Sequence, residues 1–210
     1  PMLPLDTVLT FFATALMLAL APGPDIIFVL TQSALYGMRA GVATTLGLIS
    51  GLCFHTTIVA VGVAGIFMTS PLAFTLLTVV GAAYLLYLAW LSFRAGASMA
   101  HLQESRFLGY WGLYRRGVIM NITNPKVTLF FLAFLPLFCA PERGSVALQV
   151  MELGLLFMLA AFIVFTAVSA LGGRLAHWFN SSPRGQMLMH RVAGLVFVAL
   201  AGMLIFSCVA

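Results

Sequence analysis

The feature that most constrains this chain is the length of its uncharged segments. Fifty-four consecutive residues between Arg39 and Arg94 carry no acidic or basic side chain, and only 7% of all 210 residues are charged. Soluble domains carry about 25% of charged residues, so ten basic and five acidic residues cannot cover a globule of this size in water. Together with 62% hydrophobic residues and a mean hydropathy of +1.11, this excludes a soluble enzyme, a disordered tail and a nucleic-acid-binding module.

The uncharged segments have the pattern of helices. Lipid offers no hydrogen bonds to the backbone, so only helices and closed barrels cross a bilayer, and a helix needs about 20 apolar residues. Segments such as 72–90 and 153–171 are apolar on every face, whereas the strands of a barrel alternate. We therefore predict an all-α integral membrane protein with six transmembrane helices, at roughly 5–36, 40–67, 71–93, 115–138, 150–172 and 189–209.

Arginines are distributed unevenly between the two sides of this arrangement. One set of alternate segments carries eight of them, and the other set, which includes both termini, carries only Arg143. The eight are Arg39, Arg94, Arg106, Arg115, Arg116, Arg174, Arg184 and Arg191. Because cytoplasmic loops are enriched in Lys and Arg, we expect both termini outside the cytoplasm. The basic charge balance thus indicates topology and argues against a nucleic-acid partner.

The six predicted helices form a single transmembrane domain, 1–210, with two halves of three. The halves, 1–93 and 115–210, are joined by a polar cytoplasmic linker at 94–114. Because three is odd, a repeated three-helix unit enters the membrane upside down the second time, and proteins built in this way bind their ligands where matched helices break. The first and fourth predicted helices are interrupted, by Pro22-Gly23-Pro24-Asp25 and by Asn124-Pro125-Lys126. The sequence predicts two inverted repeats.

The Pro22-Gly23-Pro24 segment has two interpretations. Prolines lack an N–H group, so they leave two half-helices with free carbonyl and N–H groups. The 32 residues between Asp6 and Arg39 span about 48 Å as a helix, too long for one straight crossing. The N-terminus of a half-helix is suited to a substrate carboxylate. The alternative is a proline kink satisfied by neighbouring helices, which is common in membranes.

Asp25 and Lys126 are the two formally charged residues deep inside predicted helices. A lone charge there costs several kcal/mol, so it is normally paired or lines a wet cavity. If the halves are symmetry mates, the two residues face each other, and we predict an Asp25–Lys126 pair. Three roles remain open: Asp25 binds and releases a proton, the pair permanently fixes the first helix against the fourth, or Lys126 binds a carboxylate directly.

Three other polar side chains are candidates for the same site. Asn121 and Asn124 lie three apart and share a helix face, and Asn124 is expected either to cap the second half-helix or to contact substrate. His55 lies in a small-residue stripe of the second helix, as an interhelical hydrogen-bonding group or as a proton relay. The stripe is expected to pack on the first helix or on a symmetry partner, and its glycines are Gly47, Gly51, Gly62 and Gly65.

The chain offers no motif for catalysis, metal binding or a cofactor. Cys53, Cys139 and Cys208 lie far apart, and neither a Ser/His/Asp arrangement nor a phosphate-binding loop occurs. We expect no enzyme activity. A metal-ion exporter of the same architecture would need thiolate or imidazole clusters. A membrane-embedded redox protein or enzyme would need cysteines near the two breaks, and none lies there.

Several motifs resemble the LysE/RhtB family of amino-acid exporters. Pro22-Gly23-Pro24-Asp25, followed by the Gly47, Gly51 and His55 stripe, is similar to the first half of that family. Segment 81–88 (GAAYLLYL) resembles its third-helix signature, and segment 121–126 (NITNPK), followed by Pro-Leu-Phe at 136–138, resembles its fourth-helix signature. The likeness runs in order over nearly the whole chain.

This resemblance implies a secondary exporter of small amino acids or their derivatives in the bacterial cytoplasmic (inner) membrane. It implies transport by alternating access driven by the proton-motive force, and it makes a homodimer plausible. A neutral or hydroxylated amino acid, or a homoserine-like lactone, fits a pocket with one Asp and one Lys. The residues that match the family motifs are Pro22, Gly23, Pro24, Asp25, Asn124, Pro125 and Lys126.

Overall fold

The structure, a computed structural model, describes residues 3–63, 70–95 and 107–209, which are helical with no strand in any of the three ranges. The helices are α1 (Leu5–Leu20), α2 (Pro24–Tyr36), α3 (Met38–Ile58), α4 (Pro71–Arg94), α5 (Gly109–Ile122), α6 (Pro125–Phe138), α7 (Val146–Ser181) and α8 (Pro183–Val209). A π-helical turn, Val59–Val63, continues α3. Helix α6 changes from regular to π-helical at Phe130–Phe134 and ends in a 3-10 turn, Leu135–Phe138. A second 3-10 turn, Pro141–Arg143, leads to α7.

Six membrane spans account for these helices. Helices α3, α4, α7 and α8 are each long and apolar enough to cross a bilayer alone. The other two spans are bent pairs: α1 and α2 meet at 59°, and α5 and α6 meet at 48°. This confirms an all-α membrane protein with six spans whose first and fourth members are interrupted.

Several helix ends differ from the sequence prediction. The fourth span begins at Gly109 instead of 115, the fifth runs over Val146–Ser181 instead of 150–172, and the sixth begins at Pro183 instead of 189. The prediction placed these ends next to charged residues, but a charge marks the edge of the hydrocarbon and does not stop a helix. Helix α7 ends where Ser182 precedes Pro183, a position biased away from helical backbone. Residues 96–106 of the predicted linker lie outside the described ranges.

The main contacts between the two halves are symmetric. If spans one to three are exchanged for spans four to six, each of these contacts becomes itself or another main contact. The second span packs on the fifth, and the third packs on the sixth. The first span packs on the fifth, and the equivalent contact, between the fourth span and the second, is the most extensive in the protein. Two three-helix repeats would have this symmetry, since the exchange maps each of these contacts onto itself or onto another, and their inverted orientation stays a prediction.

Glycines allow α3 and α5 to cross at very short range. A Cβ atom at Gly117 would lie 2.6 Å from the carbonyl oxygen of Thr44, and one at Gly47 would overlap the carbonyl group of Tyr114. Gly47 and Gly51 of the α3 stripe therefore pack on the fourth span, and not on the first helix or the symmetry-related fifth helix that the sequence suggested. Gly62 has no neighbour within 4 Å of its Cβ position, and Gly65 lies outside the described residues. Small residues let membrane helices approach closely.

This crossing predicts that Gly117→Ala destabilises the protein. The added methyl group meets backbone atoms that cannot move aside, and overpacking of this kind costs about 1–3 kcal/mol. The measurement is the thermal unfolding midpoint of the purified protein in detergent. Gly62→Ala is the matched control and should leave the midpoint unchanged or slightly higher. Equal midpoints for the two variants would contradict the close crossing.

Candidate functional site

The two interrupted spans are broken by the same local chemistry. Helix α1 ends before Pro22, and α2 begins at Pro24 with Gly23 as its N-cap in extended backbone. Helix α5 ends at Ile122, and α6 begins at Pro125 after the N-cap Asn124. A proline cannot donate to the carbonyl four residues before it. Each break therefore leaves a backbone carbonyl in the protein interior that needs another donor.

The Lys126 ammonium supplies the donor at the first break. Its Nζ atom donates to the carbonyl oxygens of Leu18 at 3.3 Å and Ala21 at 3.4 Å. Leu18 lies four residues before Pro22, so its carbonyl is the one that Pro22 leaves without a helical partner. The ammonium also sits at the negative end of the α1 dipole, where a cation is favoured. Lys126 thus joins the first half of span one to the second half of span four.

Gly23 makes room for this ammonium. A Cβ atom at position 23 would lie 3.1 Å from Nζ of Lys126, a separation at which one of the two groups must shift. The Pro-Gly-Pro segment therefore does more than bend the span. Pro22 frees the carbonyl group of Leu18, and Gly23 admits the cation that binds it.

His55 performs the equivalent task at the second break. Its Nε2 atom lies 3.1 Å from the backbone oxygen of Asn121, which is four residues before Pro125. Because a carbonyl only accepts, this hydrogen bond requires the tautomer that carries the proton on Nε2. The backbone N–H of Asn124 donates to the same oxygen at 3.1 Å. The geometry matches the interhelical hydrogen bond that was one of the two roles considered for His55.

Asn124 caps the second half-helix of the fourth span. Its Oδ1 atom accepts a hydrogen bond from the backbone N–H of Lys126 at 3.0 Å, which is the capping role of an N-cap side chain. Its Nδ2 atom is buried without a partner, and so is Oδ1 of Asn121. Asn121 is 1% exposed and fits against Gly51, where a Cβ atom would lie 2.6 Å from the Asn121 side chain.

Asp25 is the acid of this site and lies in the first turn of α2. It is 3% exposed, and its Oδ1 atom has no hydrogen-bond partner. Its carboxylate interacts with four neighbouring side chains, those of Lys126, Asn124, Asn121 and His55. Within the described residues, however, Asp25 and Lys126 do not form the direct ion pair that the sequence suggested, because the ammonium is occupied by the α1 carbonyls.

Asp25 and Lys126 line one small cavity at the level of the two breaks. Its volume is about 10 Å³, room for a single water molecule. Apart from the acid, the ammonium and one amide, its wall is apolar. The lining residues are Leu18, Ala19, Asp25, Leu52, Asn121, Lys126, Val127, Phe157, Ala161 and Phe165. Two of the lining residues, Asp25 and Asn121, each have an unpartnered Oδ1 atom, so the cavity has unused hydrogen-bonding capacity.

An aromatic cluster lies beside the cavity, and the sequence analysis did not identify it. Phe11 of α1 contacts Phe138 of α6, with ring centroids 5.1 Å apart, and Phe130 stacks on Phe134 at 4.9 Å. Phe130 also meets Phe157 of α7, a residue of the cavity wall, at 5.2 Å. We name these five residues the aromatic cluster. The repeated Phe residues at 130, 131, 134 and 138 were the available signal.

Other buried polar side chains take structural roles. The hydroxyl groups of Ser33, Thr44 and Thr45 donate to carbonyl oxygens of their own helices. Gln149, which the sequence analysis also missed, bonds both backbone groups of Ala140 and so holds the loop before α7. No group of three or more His, Cys, Asp or Glu residues suited to a metal ion occurs within residues 3–63, 70–95 and 107–209.

Comparison with known proteins identifies the family of this chain. The LysE type translocator family matches residues 16–207. The homoserine/homoserine lactone efflux protein of Salmonella typhimurium is 33% identical over 196 residues, covering 92% of this chain and 93% of that protein. An uncharacterized membrane protein of Vibrio cholerae is 32% identical, covering 94% and 95%, and the leucine efflux protein of Salmonella choleraesuis is 27% identical, covering 93% and 92%.

No solved structure matches the chain significantly. The family match reaches into all six spans and includes both proline breaks together with Asp25 and Lys126. This chain therefore belongs to the LysE type translocator family, whose members are transporters and not enzymes.

Proposed function

We propose that this protein exports amino acids or amino-acid derivatives across the bacterial cytoplasmic membrane, using the proton-motive force and alternating access. The observation that carries the proposal is the position of Asp25 and Lys126 in one cavity at two helix breaks, within a chain of the LysE family. Relatives named as efflux proteins for homoserine, its lactone and leucine support the substrate class. The substrate is a neutral or hydroxylated amino acid, or a homoserine lactone.

The charges of the cavity suit an α-amino acid. Asp25 receives the substrate ammonium, while Lys126 and the N-terminus of α2 receive the carboxylate. The remaining wall is apolar and includes Leu52, Phe157 and Phe165, which suits a neutral side chain. Among the described residues, Asp25 is the one carboxylate that lines the cavity, so a cationic side chain would find no second counter-charge there. A lactone, which lacks the carboxylate, uses Asp25 alone.

Competition between a proton and the substrate ammonium for Asp25 couples substrate export to proton entry. A buried carboxylate binds either a proton or the substrate ammonium, because each satisfies the same charge. Substrate then leaves to the outside as a proton enters, and the proton leaves to the cytoplasm as substrate enters. The unpartnered Oδ1 atom of Asp25 supports this role, since an acid already committed to an ion pair would be less available to either cation.

Alternating access requires the cavity to enlarge, because a volume of about 10 Å³ holds no amino acid. We assign the outer closure to the aromatic cluster, between α1 and α6, and the inner closure to the glycine crossing between α3 and α5. This assignment uses the topology with both termini outside, which the distribution of arginines supports. The π-helical segment of α6, Phe130–Phe134, belongs to the outer closure, and such segments are frequent at functional sites.

The homodimer implied by the family resemblance stays a prediction. Many apolar side chains on the described helices are exposed, among them Leu155, Leu195 and Phe206. Either lipid or a second copy of the chain would cover such faces.

Asp25→Asn is expected to abolish transport driven by a proton gradient. The amide keeps the size of the side chain but binds neither a proton nor an ammonium group as a carboxylate does. The measurement is efflux of labelled homoserine, leucine or threonine from vesicles with and without an imposed pH gradient. Asp6→Asn, at the exposed start of α1, is the matched control and should transport normally. Gradient-driven efflux in Asp25→Asn at the wild-type rate would refute the coupling role.

Lys126→Met is expected to reduce both stability and transport. It leaves the carbonyl groups of Leu18 and Ala21 without their donor, and a hydrogen bond to a charged group contributes about 1.5–3 kcal/mol. The thermal midpoint in detergent and vesicle efflux are measured together. Lys126→Arg retains the charge and should recover part of the stability. An unchanged midpoint in Lys126→Met would show that the two carbonyl contacts do not hold the break together.

A further inference from the structure

A second cavity lies on α5, apart from the central site. It is lined by Gly112, Arg115, Arg116, Ile119 and Met120, with a volume of about 380 Å³. None of these residues lines the central cavity. The transport proposal gives this groove no role.

The groove carries two positive charges without a bound counter-charge. Arg115 and Arg116 are exposed, and neither pairs with an acid in the described part of the chain. Within the described residues, the acidic side chains are those of Asp25, which lines the central cavity, and of Asp6, Glu142 and Glu152. The last three lie near the span ends on the predicted outer side, opposite to the groove. Glu104 lies outside the described residues. The groove therefore favours an anionic occupant.

Polarity changes along the groove as it does along a phospholipid. Side chains on a helix tilt toward its N-terminus, so the arginines extend toward the start of α5, which faces the cytoplasm in the topology proposed above. Ile119 and Met120 follow on the side nearer the membrane centre, and Ile119 is 58% exposed. Long basic side chains near helix ends reach the interface in this way.

Aromatic contacts place the groove at the membrane interface and orient one arginine. Trp111, next to Gly112, is 68% exposed and stacks on Tyr114 with ring centroids 5.2 Å apart. Trp and Tyr are enriched at the level of the lipid headgroups. The guanidinium of Arg116 lies 5.0 Å from the ring centroid of Phe28 on α2, a cation–π distance, so part of the site is ordered before any ligand binds.

We propose that this groove binds an anionic phospholipid of the cytoplasmic leaflet. Arg115 and Arg116 bind its phosphate group, and Ile119 and Met120 contact the first part of an acyl chain. Arginine forms bidentate hydrogen bonds with phosphate oxygens, and basic pockets between spans on the cytoplasmic side are known to bind anionic headgroups. Because Arg116 packs on Phe28, which shares α2 with Asp25, the bound lipid is linked through Arg116 to the half-helix that carries the acid of the central site.

Native mass spectrometry of the purified full-length protein tests this proposal. The protein is titrated with phosphatidylglycerol and with phosphatidylcholine of the same acyl chains, and the fraction carrying a bound lipid is compared. We expect a preference for phosphatidylglycerol that falls about fivefold for each arginine removed, in Arg115→Gln, Arg116→Gln and the double variant. Arg174→Gln, an exposed arginine on the same predicted side, is the matched control and should retain the preference.

Two further arms make the result decisive. The double lysine variant, Arg115→Lys with Arg116→Lys, keeps both charges and should keep most of the preference, even if the glutamine variants fold poorly. Excess glycerol 1-phosphate should fail to displace phosphatidylglycerol, since it lacks the acyl chains. Displacement by glycerol phosphate would identify a site for free anions and overturn the lipid assignment. An equal loss in Arg174→Gln and in the double glutamine variant would overturn it as well.

Discussion

The structure depends on how a membrane protein satisfies a backbone carbonyl that a proline has deprived of its helical partner. In water such a carbonyl would simply be hydrated, but in a lipid-covered interior an unsatisfied polar group costs several kcal/mol. The ammonium of Lys126 binds the carbonyl oxygens of Leu18 and Ala21. His55 lies opposite the Asn121 carbonyl at the other break. Each break is therefore satisfied by a side chain from another span.

This solution explains why the charges of the site are not paired directly. Lys126 is held by backbone carbonyls and by the negative end of a helix dipole, so its position does not require Asp25. Asp25 shares the cavity with the ammonium, which offsets its charge at short range, but its Oδ1 atom stays without a hydrogen bond. The buried acid thus keeps one carboxylate oxygen without a partner, and the proposed exchange of a proton for a substrate ammonium uses this group.

The same arrangement connects the parts that alternating access would move. The half-helices α1 and α6 meet at the aromatic cluster, and α3 and α5 meet at the glycine crossing. Each contact adjoins a residue of the cavity wall. The aromatic cluster includes Phe157, and the glycine crossing lies next to Asn121 of α5. A change at Asp25 acts on α2, which also bears Phe28 beneath the guanidinium of Arg116. The central site and the lipid groove are therefore linked through the contact between Arg116 on α5 and Phe28 on α2.

Composition and hydrophobic patterning alone determined the solvent of this fold, the six spans and the two breaks. Uncharged segments of this length require a lipid environment, and a proline in the interior of a helix removes a backbone hydrogen bond and kinks or breaks the helix. The family was also visible in the motifs around Pro22, Asp25 and Lys126. Helix ends such as Gly109 and Pro183 were placed less well, because charged residues mark the edge of the hydrocarbon and not the end of the hydrogen-bonded backbone.

Only the tertiary structure decided which groups meet. Complementary charges at Asp25 and Lys126 suggested an ion pair, but the sequence does not reveal that free carbonyls of another span lie nearer to the ammonium. Likewise, the glycine stripe showed that α3 has a close neighbour without identifying α5 as that neighbour. Local sequence patterns indicate which kind of partner a segment requires, such as a hydrogen-bond donor, a cation or a closely packed helix. The partner that meets the need comes from residues distant in the chain, and packing alone brings them together.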